Sequence, residues 1–148
     1  MTHNDLTGQV GIVTGGGSGV GAAVAAALAE LGVHVMVAGR RGHRLSAVVD
    51  RLATPGAQIV ADMTSAGSPD RVVAATIEEF GRLDMVVNAA GVFEKAPIED
   101  TDADLWRRVI DVNLSAVVAL TRVAWPHLTQ SSGQLVLVSS AAALRGFP

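Results

Sequence analysis

The chain has no cysteine and no tyrosine, and its single lysine is Lys95. Without cysteine there can be neither a disulfide framework nor a thiolate metal site. Four histidines (His3, His34, His43, His127) are scattered, with no metal-ligand spacing, so no metal is expected. Aromatic residues make up only 3% and charged residues 17%, and the net charge of −3 leaves no basic footprint for nucleic acid and no polybasic membrane patch. The first five residues do not combine a basic segment with an apolar core, so no secretory signal is read, and the cytoplasm is the expected location. The stretch from Leu6 to Ala29 carries no charge, but it holds a glycine cluster and no basic flank follows it, which argues against a membrane span. What is abundant is apolar material: 49% of 148 residues are hydrophobic, enough to bury the core of one domain.

The most informative stretch runs from Val10 to Leu31. An apolar run (Val10, Ile12, Val13) suits a buried parallel strand. After the glycine cluster, apolar residues at Val20, Val24, Leu28 and Leu31 predict one face of a helix. Between them, Gly15, Gly19 and Gly21 fall in a GxxxGxG spacing preceded by Thr14. Gly15 permits a sharp turn off the strand, Gly19 lets backbone approach a pyrophosphate, and Gly21 allows close packing of the helix. The free amides and dipole of the helix N-terminus then face an anion.

The same alternation continues. Val33 to Ala38 reads as a second strand, and a helix with Leu45, Val48, Val49 and Leu52 on one side follows. Gln58 to Ala61 forms a third strand that ends at Asp62. Ser68-Pro69-Asp70 reads as N-cap, N1 proline and first-turn acid, opening a helix that turns Val73, Ile77 and Phe80 inward and stops at Gly81. Asp84 to Asn88 is strand four, and Thr101-Asp102-Ala103-Asp104 is a helix start. The long helix after it is expected to bury Leu105, Val109, Val112, Ala116, Leu120 and Val123 on one face and to kink at Pro126. Leu135 to Ser139 is strand five, apolar on both faces. Alternating strands and helices imply an α/β, doubly wound parallel sheet with its ligand at the carboxyl ends of the strands.

These motifs, in this order, resemble the short-chain dehydrogenase/reductase family over essentially the whole chain. Thr14-Gly15-Gly16-Gly17-Ser18-Gly19-Val20-Gly21 matches its TGxxxGxG cofactor loop. Asn88-Ala89-Ala90-Gly91 is a form of its NNAG motif, with Ala89 where a second asparagine is usual. Trp106 followed by Asp111-Val112-Asn113-Leu114 resembles its helix motif, and Leu135 to Ser140 the strand that delivers its serine. The resemblance implies a single Rossmann-type domain over 1–148 with strand order 3-2-1-4-5, incomplete after strand five. It implies cofactor contacts from Thr14, Gly15, Ser18, Gly19, Val20, Gly21, Arg40, Arg41, Asp62, Met63, Asn88, Ala89, Ala90 and Gly91. Asp62 is placed on the adenine amino group, and the catalytic candidates are Asn113 and Ser140. It also implies a small carbonyl or alcohol substrate, and a homo-oligomer built on the long helix.

Cofactor choice has its own physical argument. A carboxylate at the end of strand two would accept the ribose hydroxyls and repel a 2′-phosphate, whereas this chain has Gly39, Arg40 and Arg41 there. Guanidinium groups bind phosphate by charge-assisted, often bidentate bonds, so NADP(H) is expected over NAD(H), with Arg40 as the main contact. The family's proton-exchanging Tyr-x-x-x-Lys pair is absent. It would fall about a dozen residues after Ser140, and only eight residues follow. The expectation is therefore an N-terminal portion of an NADP(H)-dependent oxidoreductase, inactive by itself; the alternative is a non-catalytic NADP(H)-binding or partner-docking module. A methyltransferase of similar fold is disfavoured by Ser140 and the arginine pair.

Overall fold

A computed structural model describes residues 6–141. The expected ending 144–148 and the first five residues lie outside the described part. Five parallel strands form one sheet in the order β3-β2-β1-β4-β5. They are β1 (Val10–Thr14), β2 (His34–Gly39), β3 (Gly56–Val60), β4 (Met85–Asn88) and β5 (Gln134–Leu137). In the central ladder Val10 pairs with His34 on one side, while Gly11 pairs with Met85 and Thr14 with Asn88 on the other. Successive residues of β1 therefore enter opposite cores. Ile12 joins Met36, Val72, Val73, Leu120, Ala124 and Leu128 on one face of the sheet. Val13 joins Val35, Val37, Met85, Ala25, Leu28 and Leu45 on the other.

Helix α1 (Gly19–Glu30) lies on the second face and does not bury the residues that its apolar spacing suggests. Its inner residues are Gly21, Ala25, Leu28 and Ala29, while Val20 is 57% and Leu31 44% exposed. The reason is distance. A Cβ on Gly21 would run into the Gly15 carbonyl, so the helix sits too close for anything larger than glycine or alanine over its first turns. Gly32, with φ of 87°, closes α1 as expected of a C-terminal glycine. Helix α2 (Gly42–Val49) buries Leu45.

Helix α3 (Ser68–Phe80) starts one residue earlier than predicted. Its N-cap is Gly67, whose left-handed φ of 75° suits glycine, and Ser68 is already the first helical residue. It buries Val72, Val73 and Thr76, with Ile77 and Phe80 half-buried.

The long helix is three segments: α4 (Ala103–Ile110), a π turn (Asp111–Ser115) and α5 (Ala116–Ser131). The helix start lies where expected, but the cap is Asp102 rather than Thr101 of a capping box: the Asp102 carboxylate accepts from the amides of Asp104 (3.0 Å) and Leu105 (2.7 Å), while the Thr101 hydroxyl donates to the Pro97 carbonyl. The single apolar face does not survive the π turn, whose extra residue rotates α5 relative to α4 by about 100°. No residue of α4 is buried, whereas Ala116, Leu120, Ala124 and Leu128 are, on a face that runs past Val123. The chain passes through Pro126 without leaving the helix. By length and composition Ala103–Ser131 could cross a membrane. Its α5 part instead packs one side into the core, and Leu114 of the π turn, with Val118 and Trp125 of α5, is left more than half exposed on the rod.

At the bottom of the sheet Asp84, only 4% exposed, accepts the Val10 amide proton at 2.9 Å and pairs with Arg82 through both carboxylate oxygens, at 2.7 and 2.8 Å. Strand β5 forms the outer edge among the described strands, and Val136, Leu137 and Val138 on and beyond it are exposed.

Candidate functional site

The carboxyl ends of β1, β2, β3 and β4 open into one cleft of about 330 Å³. From the sequence-predicted set it gathers Gly15, Ser18, Val20, Gly21, Arg40, Arg41, Asp62, Met63, Ala89, Ala90 and Gly91. Gly19 stands at the start of α1 with φ of 53° and open space where a Cβ would be, the condition for backbone to approach a ligand closely. Gly15, with φ of 65°, turns the chain off β1, and a Cβ there would meet the Ala90 Cα at 2.9 Å.

Thr14 and Asn88 lie below the cleft rather than on its wall. Thr14 is 1% exposed, and its hydroxyl oxygen accepts the amide protons of Ala89 and Ala90, both at 3.1 Å. It thus ties the glycine loop to the turn after β4. This contact is made to backbone amides, so alanine at position 89 preserves it.

Ser18 is the N-cap residue of α1, but its side chain makes no capping bond. It accepts instead from Arg41 Nη2 at 3.3 Å. The first-turn amides of α1 remain turned toward the cleft, the arrangement in which a helix N-terminus takes an anion. Arg40 lies on the other side of that mouth, near Asp62. The Asp62 carboxyl is held below its ordinary 3.8, first by the Thr64 amide, then by the Thr64 hydroxyl, with the positive charge of Arg40 adding to them. The hydrogen bonds from Thr64 measure 3.0 Å (amide) and 2.7 Å (hydroxyl), both to Oδ1. Asp62 is the one carboxylate on the cleft among the described residues, and it is ionised at neutral pH.

Asn113 sits in the π turn. Its amide grips the backbone of Val92 at both ends: Oδ1 accepts the Val92 N–H and Nδ2 donates to the Val92 carbonyl, each at 2.9 Å. The side chain is therefore a clamp on the loop after β4, one residue beyond Gly91. A second tie comes from Arg108 on α4, which bonds Glu94 at 3.0 and 3.3 Å. Ser140 is exposed beyond β5 and does not line the cleft. Sequence reasoning missed Leu45, Ala61, Thr64, Val92 and Val112 on the cleft wall. Of these only Thr64 left a signal, as the hydroxyl residue two places after an aspartate.

The residues of the cleft suit the diphosphate of a dinucleotide. A cradle at Gly15 and Gly21 that a Cβ would fill and a helix N-terminus without a side-chain cap suit an anion of that kind, and two guanidinium groups at the end of β2 add positive charge to the same wall.

The comparisons with known proteins agree. Residues 9–148 match the short chain dehydrogenase family. An uncharacterized oxidoreductase of Staphylococcus epidermidis is 34% identical over 135 residues, 90% of this chain and 59% of that protein. The glycine betaine reductase ATRR of Emericella nidulans is 36% identical over 147 residues, covering 97% of this chain and 12% of that protein. A doubly substituted short-chain dehydrogenase/reductase of Serratia marcescens superposes with a TM-score of 0.90 at 29% identity, covering 96% of this chain and 59% of the other. The chain thus spans 59% or less of the length of these relatives. By its sheet order, its glycine loop and this match along nearly its whole length, the chain belongs to the short-chain dehydrogenase family.

Proposed function

We propose that this chain is the cofactor-binding portion of an NADP(H)-dependent oxidoreductase that interconverts a small carbonyl and its alcohol in the cytoplasm. The observation that carries the reading is the mouth of the cleft: Gly39, then Arg40 and Arg41, where an NAD-preferring site would present a carboxylate. Arg40 is the principal 2′-phosphate contact and Arg41, already bonded to Ser18, the second. Asp62 accepts from the adenine amino group and Met63 borders it. Thr14 and Asn88 support the loops that hold the diphosphate and ribose.

Bound NADP(H) supplies or accepts hydride at C4 of the nicotinamide. Ser140 donates a hydrogen bond to the substrate oxygen. Asn113 belongs to the proton path; because its amide is committed to Val92, holding a water there falls to its main-chain atoms. The tyrosine that would exchange the proton, with a pKa of about 10 when free, needs a cationic neighbour to work near neutral pH. No Tyr-x-x-x-Lys pair occurs among these 148 residues. The exposed Leu114, Val118 and Trp125 side of the helical rod is assigned to a second copy of the chain, giving a dimer or tetramer.

The test is calorimetric titration of the protein with NADPH and NADH. NADPH should bind at least tenfold tighter, and Arg40→Ala should remove most of that difference, since each charge-assisted bond is worth about 1.5–3 kcal/mol. Equal affinities, or an Arg40→Ala variant that binds NADPH normally, would overturn the phosphate assignment. The second reading, a non-catalytic NADP(H)-binding or docking module, is favoured by the absence of tyrosine only if 148 residues is the mature length. The coding sequence beyond Pro148 separates the two: a Tyr-x-x-x-Lys within a few residues supports the enzyme, and a stop codon the module.

A further inference from the structure

Adjoining the cleft, and sharing Met63, Ala90 and Val112 with its wall, lies a small recess of about 10 Å³, bordered further by Thr14, Asn88, Ala116 and Val117. That is the volume that one water molecule needs. Two hydrogen-bond donors meet there without acceptors. Asn88 is 4% exposed, and its amide nitrogen is the one buried side-chain polar atom among the described residues that has no partner. The Thr14 oxygen already receives two amide protons, which uses both of its lone pairs, so its own hydroxyl proton remains to be donated. Turning the Asn88 amide would offer its Oδ1 to the Thr14 hydroxyl, but the Asn88 N–H would still need an acceptor, because Thr14 has no lone pair left for it. A buried donor left alone costs about 1–3 kcal/mol. Two of them beside one small cavity ask for an acceptor that takes both.

We propose that this cavity is a binding site for one structural water, whose oxygen accepts from Asn88 Nδ2 and from the Thr14 hydroxyl. The opposite wall is the π turn and the start of α5, through Val112 and Ala116. A π turn interrupts the regular i→i+4 ladder, and inserted waters are a recognised partner for such breaks. The water's own protons are available to carbonyls on that wall. It thereby joins three pieces that sequence places far apart: the glycine loop at Thr14, the end of β4 at Asn88, and the turn that carries Asn113. Asn88 and Thr14 are positioning residues here, and the inference holds whichever nicotinamide dinucleotide, if any, the cleft prefers.

A high-resolution crystal structure of the protein tests it directly. The expected result is one ordered solvent peak within hydrogen-bonding distance of both Asn88 Nδ2 and Thr14 Oγ1, retained in Thr14→Ser and lost in Asn88→Leu. Hydrogen exchange reads the consequence: in Asn88→Leu the amides of 111–116 should exchange roughly tenfold faster, the effect of losing one bridging contact. Density in which the Asn88 amide reaches a protein carbonyl and no solvent peak lies between the two side chains would overturn the proposal. So would unchanged exchange at the π turn in a folded Asn88→Leu. Should Asn88→Leu fail to fold, the density of the parent protein decides alone.

Discussion

Two glycines ten residues apart respond oppositely to the same added methyl group. At Gly21 a Cβ would collide with the Gly15 carbonyl oxygen and lie 2.7 Å from the Gly15 carbon and 3.1 Å from the Gly16 amide nitrogen. All three are backbone atoms of the tight loop, so they cannot turn aside as a side chain could. Overpacking of this kind costs about 1–3 kcal/mol, and the rigid neighbour puts it at the upper end. Alanine recovers about 1 kcal/mol in helix propensity over glycine. The net loss for Gly21→Ala is therefore about 2 kcal/mol, or about 4–8 °C in melting temperature for a domain of this size. Gly11 differs. It lies in β1, and its added Cβ would sit 3.5 Å from Val33, 3.7 Å from Met85 and 3.8 Å from Leu28, ordinary contact distances. There the reduced freedom of the unfolded chain dominates, and Gly11→Ala should stabilise by about 0.4–1 kcal/mol. Thermal unfolding by circular dichroism separates the two, and dinucleotide titration should show Gly21→Ala weakened by about tenfold or more, since the α1 amides are pushed off their position. A Gly21→Ala protein that melts at or above the parent temperature, with normal nucleotide binding, would refute the claim that close packing of α1 on the loop requires glycine.

Three further outcomes are expected. Asp84→Ala leaves the buried Val10 N–H in the sheet without its charged acceptor, so urea unfolding should show a loss of about 1.5–3 kcal/mol. Asn113→Ala removes both bonds to Val92; at about 1 kcal/mol each, hydrogen exchange should find the segment after β4 loosened while the amides of β1 and β2 stay protected. The lowered Asp62 pKa has a definite sign. Its stabilisation is fully present above the unfolded carboxylate value and is lost as pH falls through the folded one. The stability advantage of the parent over Asp62→Asn should thus be constant near neutrality, shrink below about pH 4 and vanish at still lower pH. A difference that grew on acidification would contradict the Thr64 bonds as its source.

How much of this could be read in the residues depended on the range of the force involved. The Val10–Leu31 unit was legible because strand, turn and helix start are each dictated by neighbours: apolar run, positive-φ glycine, free first-turn amides. The start of α4 was legible for the same reason, although the cap fell on Asp102, one residue later than a capping box at Thr101 would put it. The buried face of α1 was not, because the spacing of valines and leucines says nothing about how near the loop holds the helix. Nor was the π turn. The stretch from Asp111 to Ser115 has no composition that distinguishes it from α-helix, and the clamp between Asn113 and Val92 that sits there spans 21 residues. In the site, residues fixed by backbone geometry fell where the motif put them. Thr14 and Asn88 belong to the same motifs, yet their side chains face inward, a matter of sheet register that only the pairing of Thr14 with Asn88 reveals.

That pairing also governs when the cleft can come into being. The Thr14 hydroxyl meets amides 75 and 76 residues further along, and β1 is flanked by β2 and β4 rather than by sequential strands alone. Closing so long a loop is among the slow, entropically opposed events of folding. A folding intermediate that has docked only β1, β2 and β3 would therefore hold the arginines and the glycine turn in place and yet lack the far wall. The capacity to capture a dinucleotide should appear late and abruptly during refolding, as a kinetic marker for the arrival of the fourth strand.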